Sequence, residues 1–103
     1  SKGKDYPAAR LGTIKLNPIT HTIAIPDGKQ VVRVVVHGFS NSEHDAILSE
    51  VNGQPCHYVY PAKGYNPVYT THVIESLHIS NEPLSITFTG SQCCVVIRVY
   101  VEG

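Results

Sequence analysis

The sequence predicts an all-β chain: a single-domain antiparallel β-sandwich, jelly-roll-like fold or small barrel of about seven or eight short strands. Three observations predict it. Apolar and polar side chains alternate through several short segments, and those segments are rich in valine and isoleucine. Turn signals separate the segments about every 8–12 residues. At 103 residues, the chain is long enough for one domain with one core.

The clearest alternation lies in residues 84–101. Leu84, Ile86 and Phe88 alternate with serine and threonine, and a second arm from Cys93 to Val101 has apolar residues at every other position. The short segment Gly90-Ser91-Gln92 separates the two arms, and its glycine can adopt the positive φ that tight loops require. The sequence therefore predicts a central hairpin here. The residues expected in the core are Val34, Ile86, Phe88, Ile97 and Val99.

Residues 1–12 are basic and polar and show no periodicity. Such a segment cannot bury a core of its own, so we expect an extended N-terminal arm that precedes a sandwich domain of residues 13–103. One interpretation is an assembly arm that becomes ordered on a partner, and the other is a frayed terminus. The expected contact residues of the arm are Lys2, Lys4, Tyr6, Arg10 and Leu11.

The next segments also read as strands. In residues 19–25, three isoleucines and His21 share one face and Thr20 and Thr22 lie on the other, and the segment ends at the turn Pro26-Asp27-Gly28. Residues 30–37 are almost continuously β-branched, and the alternation predicts that Val32, Val34 and Val36 form their buried face.

Residues 42–51 support two interpretations. Ser42 to Asp45 resembles a capping box, so the stretch could begin a short helix. Alternatively, residues 47–51 and 54–60 are two strands joined by Asn52-Gly53, a dipeptide that suits the two positive φ angles of a type I′ turn. The sequence favours the hairpin. Residues 61–70 then read as a loop, and residues 71–79 as a strand that buries Val73, Leu77 and Ile79.

Three cysteines do not form a complete disulfide framework. Cys93 and Cys94 are adjacent on a strand and point to opposite faces, so they cannot easily bond each other. Cys56 could pair with either of them, but we expect three reduced thiols. That expectation places synthesis and folding in the cytoplasm, a reducing compartment.

Motifs for catalysis or metal binding are not found in the sequence. Six histidines include no His-x-His pair, and in the nearest group Glu75 would face away from His72 and His78 on a strand. No nucleophile elbow or phosphate-binding glycine loop occurs. We therefore expect no metal, no cofactor and no enzymatic activity.

The charge pattern bears on the class of partner. Eight basic side chains balance eight acidic ones, and no apolar run approaches the roughly 20 residues of a membrane span. Nucleic acid and membranes are therefore not expected as partners.

Tyrosine is concentrated in residues 58–69. This stretch holds four of the six tyrosines, which either form a binding surface or cap an open end of the sandwich. The four are Tyr58, Tyr60, Tyr65 and Tyr69.

These observations favour a non-enzymatic structural or assembly subunit. Its concrete form would be a virion cement, decoration or minor capsid protein that binds copies of itself and a larger protein scaffold. The alternative is a lectin-like module that binds carbohydrate or peptide through the tyrosine-rich loop, with a possible glycan ligand. A small metal-dependent enzyme built on the histidines is the third hypothesis.

Overall fold

The computed structural model describes residues 4–14, for which it gives the course of the backbone, and residues 18–103. These residues contain β-strands and no helix, which confirms the all-β prediction. The strands are β1 (Lys4–Ile14), β2 (Ile19–Ile23), β3 (Gln30–Ser40), β4 (Ala46–Val51), β5 (Gln54–Tyr60), β6 (Thr70–Ile74), β7 (Leu84–Gly90) and β8 (Cys93–Glu102).

The strands form two antiparallel sheets of four. The first sheet has the order β1-β8-β3-β6 and the second the order β2-β7-β4-β5. The pairs β1·β8, β2·β7, β3·β6 and β4·β5 are nested, as if one long hairpin had been rolled into two layers. This is the jelly-roll arrangement. The sandwich is therefore confirmed, and the alternative of a closed barrel is wrong.

The β4–β5 turn is the centre of this nested arrangement. Asn52 and Gly53 have φ angles of 46° and 82°, the positive pair that a type I′ turn requires. The Asn52 side chain also accepts a hydrogen bond from the Ser85 N–H at 2.8 Å and donates one to the Pro83 carbonyl at 3.0 Å. The hairpin interpretation of this region is confirmed, and the helix alternative is wrong.

The prediction that residues 84–101 form a hairpin is wrong, because its two strands do not pair with each other. β7 pairs with β2 and β4 in the second sheet, whereas β8 pairs with β1 and β3 in the first. Ser91 and Gln92 therefore carry the chain from one sheet to the other. The three Cα steps from Gly90 to Cys93 reach at most about 10–11 Å, enough to cross sheets that pack about 10 Å apart.

The core fills the space between the sheets. All five residues expected there are at most 1% exposed. On β3, a register shift between Val31 and Arg33 changes the predicted alternation, so that Val31 is fully buried together with Val34 and Val36. Val32 lies within this irregularity and is also buried, at 8% exposed, so the predicted burial of Val32, Val34 and Val36 is confirmed.

Strand β6 is shorter than the sequence predicted, and its buried face differs. Ile74 is buried while Val73 is 47% exposed, so the expected inward position of Val73 is wrong. The strand ends at Ile74, and Ser76 adopts a positive φ of 62°. Ile79 is buried as expected, where it forms an isolated bridge with Val31.

The predicted arm follows the edge of the first sheet. Residues 4–14 run antiparallel to β8, with register shifts between Pro7 and Ala9 and between Leu11 and Ile14. Most of the segment expected to precede the domain therefore lies along the domain's own sheet.

At the opposite side of the sandwich, β6 and β5 are the two edge strands. The described part of the chain has no helix of the length and apolar character that a membrane span needs.

Candidate interaction surface

Large apolar side chains that face solvent are concentrated in residues 65–73, which we call segment 65–73. Among the described side chains, the exposed large hydrophobic residues are Tyr65, Val68, Tyr69 and Val73, with exposed fractions of 103%, 43%, 62% and 47%. All four fall within nine consecutive positions. Contiguous exposed apolar patches are uncommon on monomers and mark sites of interaction.

Segment 65–73 lies at an open sheet edge. It includes most of β6, which pairs with β3 on one side and ends the order of the first sheet on the other. Along such an edge strand, alternate backbone N–H and C=O groups point outward and are available to another strand. The exposed apolar patch and the open edge therefore coincide.

Tyr69 is held in a defined position despite its exposure. Its ring stacks on His37 with a centroid distance of 5.7 Å and an interplanar angle of 22°, and it meets Phe39 edge-on at 4.9 Å. His37 Nδ1 and Thr71 Oγ1 lie 2.7 Å apart and share a hydrogen bond. The outer face of β3 therefore orders the start of β6, and a partner that binds Tyr69 does not have to order its ring first.

The other two tyrosines of the cluster, Tyr58 and Tyr60, pack against or within the core. Tyr60 is fully buried, and its hydroxyl donates a hydrogen bond to the Val36 carbonyl at 3.0 Å. Burial raises the pKa of Tyr60 well above its ordinary value. Tyr58 is half-buried, and both rings pack against His72 at 5.2 and 4.9 Å. Tyr60 therefore supports the core and offers no surface to a partner.

His72 joins the two sheets at this edge. Its Nε2 lies 2.7 Å from the Val59 carbonyl oxygen. Because a carbonyl only accepts hydrogen bonds, this nitrogen carries the proton. The bond holds β6 of the first sheet against β5 of the second.

The predicted arm residues lie at the other side of the sandwich. Lys4, Tyr6, Arg10 and Leu11 occupy positions on β1, opposite valines of β8. Lys2 lies outside the described residues. Because β1 and β6 are the two opposite edges of the first sheet, the structure separates the predicted arm from the tyrosine cluster.

The histidines and acidic residues do not converge. In residues 18–103, no group of three or more histidine, cysteine, aspartate or glutamate side chains is placed to hold a metal ion. His78 and Glu75 contribute to an open cleft of about 360 Å³ that Glu102 also lines.

The serine hydroxyls near His44 form hydrogen bonds with other groups of the same chain. Ser40 Oγ, which is fully buried, donates to the His44 carbonyl at 2.6 Å, and the hydroxyls of Ser42 and Ser91 bond each other. These bonds close one end of the sandwich.

All three cysteines are thiols outside any disulfide, in agreement with the prediction of reduced cysteines. The pKa of Cys93 is raised to about 11 by burial and, secondarily, by the nearby charge of Cys94. Burial also raises the pKa of Cys56, with a smaller contribution from Glu50. Because the thiolate is the reactive form, neither Cys56 nor Cys93 is activated as a nucleophile at neutral pH.

We expect the free energy of unfolding to fall as the pH rises from about 9 towards about 11. The unfolded chain loses the Cys93 proton near the ordinary pKa of 9.0, while the folded chain keeps it until about 11. The native state thus binds more protons in this window, and stability decreases with pH. Chemical denaturation at a series of pH values measures the slope. In the variant Cys93→Ala the slope should be shallower, and an unchanged slope would contradict the assignment to Cys93.

Sequence reasoning found Tyr65 and Tyr69 but not the residues that complete the patch. Val73 was assigned to the core, while Val68, His37 and Phe39 were not singled out. The exposure of Val73 could have been predicted from its neighbour: if Ile74 faces inward, Val73 must face outward.

Comparison of the chain with protein-family models, curated proteins and solved structures returns no match.

Proposed function

We propose that the chain is a non-enzymatic assembly subunit that binds other protein chains through segment 65–73. The observation that carries the proposal is the coincidence of the exposed apolar residues with the open edge of β6. In its concrete form the protein is a virion cement, decoration or minor capsid protein, which associates with its own copies and with a larger scaffold.

The chemistry of the segment supports a protein partner. No charged residue lies between Lys63 and Glu75, so the segment does not favour a polyanion. Burial of apolar surface stabilises an interface by about 25 cal/mol per Å², and tyrosine is enriched at the centre of such interfaces. The jelly-roll arrangement occurs in both capsid and lectin domains, so the fold does not distinguish these two functions. A protein partner is therefore supported by the chemistry of segment 65–73.

Sedimentation velocity and light scattering over a wide concentration range test the proposal. We expect the wild-type chain to self-associate, and we expect Tyr65→Ser/Val68→Ser to weaken that association about tenfold or more, because two exposed contacts are lost. The control is Ile47→Ser, which changes a half-exposed apolar residue on the outer face of the second sheet. A monomeric wild type, or an equal effect of the control, would contradict the proposal.

One observation favours the lectin-like alternative. The Tyr69 ring stays 62% exposed while His37 and Phe39 hold it in place, and a fixed exposed ring suits stacking on the apolar face of a sugar. A glycan array probed with wild type and Tyr69→Ala tests it. Binding that depends on Tyr69 would support this function, and an array without signal would reject it.

A further inference from the structure

We infer that the partner of β6 is β6 of a second copy of this chain. The two strands pair antiparallel about a two-fold axis at His72, so that the first sheet continues from one copy into the other. This inference rests on the proposed function and specifies the partner and the register.

The edge strands differ in how open they are to pairing. β1 contains Lys4, Asp5, Pro7 and Arg10, and β5 contains Pro55. Charges and prolines of this kind protect an edge from another strand.

β6, with the sequence TTHVI, contains neither a charge nor a proline. β2 is uncharged too, but its outward residues Thr20 and Thr22 are polar, and none of the exposed large apolar residues lies on it. β6 is therefore the described edge that combines free backbone groups with apolar contact area.

The two-fold register keeps like charges apart and brings a hydrogen-bond donor towards the Glu75 carboxylate. With His72 on the axis, Thr71 of one copy lies opposite Val73 of the other, and Tyr69 lies opposite Glu75. The phenol of tyrosine can donate a hydrogen bond to a carboxylate, so this position is favourable. Glu75 lies just past the end of β6, and in this register the two Glu75 residues are six positions apart along the strand direction, or roughly 20 Å. That separation exceeds the screening length of about 8 Å at physiological salt.

The outward side chains of β6 also suit the pairing. Thr71 and Val73 are exposed, as is Tyr69 just before the strand, whereas the alternate residues Thr70, His72 and Ile74 face the second sheet. In the two-fold register Val73 of each copy lies beside Thr71 of the other, and the two Val73 side chains approach each other diagonally. The pairing therefore covers the apolar residue that the monomer leaves exposed on β6.

A charge-exchange experiment on the full chain tests the register. One variant carries Thr71→Lys/Val73→Lys and the other Thr71→Glu/Val73→Glu. Each should be monomeric where the wild type is dimeric, since its dimer would gather four like charges. A one-to-one mixture should restore the dimer, because opposite charges then face each other across the axis. Restoration also shows that both variants are folded.

The control is Thr20→Lys/Thr22→Lys, which places the same charges on β2 and should leave the dimer intact. Sedimentation velocity separates the outcomes. If the wild type associates but the β6 variants associate equally well, or the mixture stays monomeric, the two-fold pairing is overturned while association through the segment stands. If the control dissociates instead, the interface lies at β2. If the wild type is monomeric, both this inference and the proposed function fail.

Discussion

Replacing Phe88 by alanine is expected to lower the free energy of unfolding by about 3–5 kcal/mol. Phe88 is 1% exposed and lies on β7, a central strand of the second sheet. Its register partners are Ile19 on β2 and Leu48 on β4. Because strands flank it on both sides, the surroundings cannot collapse fully into the space the ring leaves. The variant therefore loses both the transfer free energy of the ring and the contacts around a cavity.

Equilibrium denaturation by urea measures this loss. The matched control is Phe39→Ala, which truncates the chain's other phenylalanine, a half-exposed residue on the outer face of the first sheet. Its cost should be clearly smaller because less area leaves water there. A loss below about 1 kcal/mol for Phe88→Ala would show that the ring does not occupy the core, since surface changes usually stay within ~0.5 kcal/mol.

Replacing Gly38 by alanine is expected to cost about 3 kcal/mol, at the upper end for overpacking. Gly38 lies on β3 opposite Val95 of β8. A Cβ atom there would overlap the carbonyl oxygen of Cys94 and lie 2.8 Å from the Val95 Cα. These are backbone atoms of a central strand, so the clash can be relieved only by disturbing the β3–β8 ladder.

Gly64→Ala is the control for this substitution. No heavy atom lies within 4 Å of the Cβ that alanine would add at Gly64. Its stability should stay within about 0.5 kcal/mol of the wild type. If thermal or urea denaturation gave both alanine variants similar stability, the close approach of β3 and β8 at Gly38 would be refuted.

The candidate surface could be predicted only in part. Tyrosine enrichment pointed to Tyr65 and Tyr69, which are exposed, but equally to Tyr60, which is fully buried. The number of tyrosines in a segment does not determine whether each ring faces the core or the solvent. Alternation on β5 put Tyr58 and Tyr60 on one face, but the packing of His72 against that face follows from the β5–β6 crossover, which no local pattern encodes.

What the sequence by itself determined is the strands other than β1, most of their buried faces and two turns, at Pro26-Asp27-Gly28 and at Asn52-Gly53. Leu84, Ile86 and Phe88 face the core because the two-residue period of a strand is a local property. Asn52-Gly53 forms the expected hairpin because the positive φ angles of that turn are likewise a local requirement.

Only the tertiary structure decided which strands pair. The segment Gly90-Ser91-Gln92 has the length of a hairpin loop, but it also spans the distance between facing sheets. Neighbouring strands lie about 5 Å apart and packed sheets about 10 Å, and the same few residues can bridge either gap. The choice follows from long-range contacts: β7 is held between β2 and β4, and β8 between β1 and β3. Val73 is exposed for a related reason: the packing of the two sheets turns its neighbour Ile74 inward, and after β6 ends the chain returns to the core through Leu77, which is partly buried, and Ile79, which is buried beside Val31.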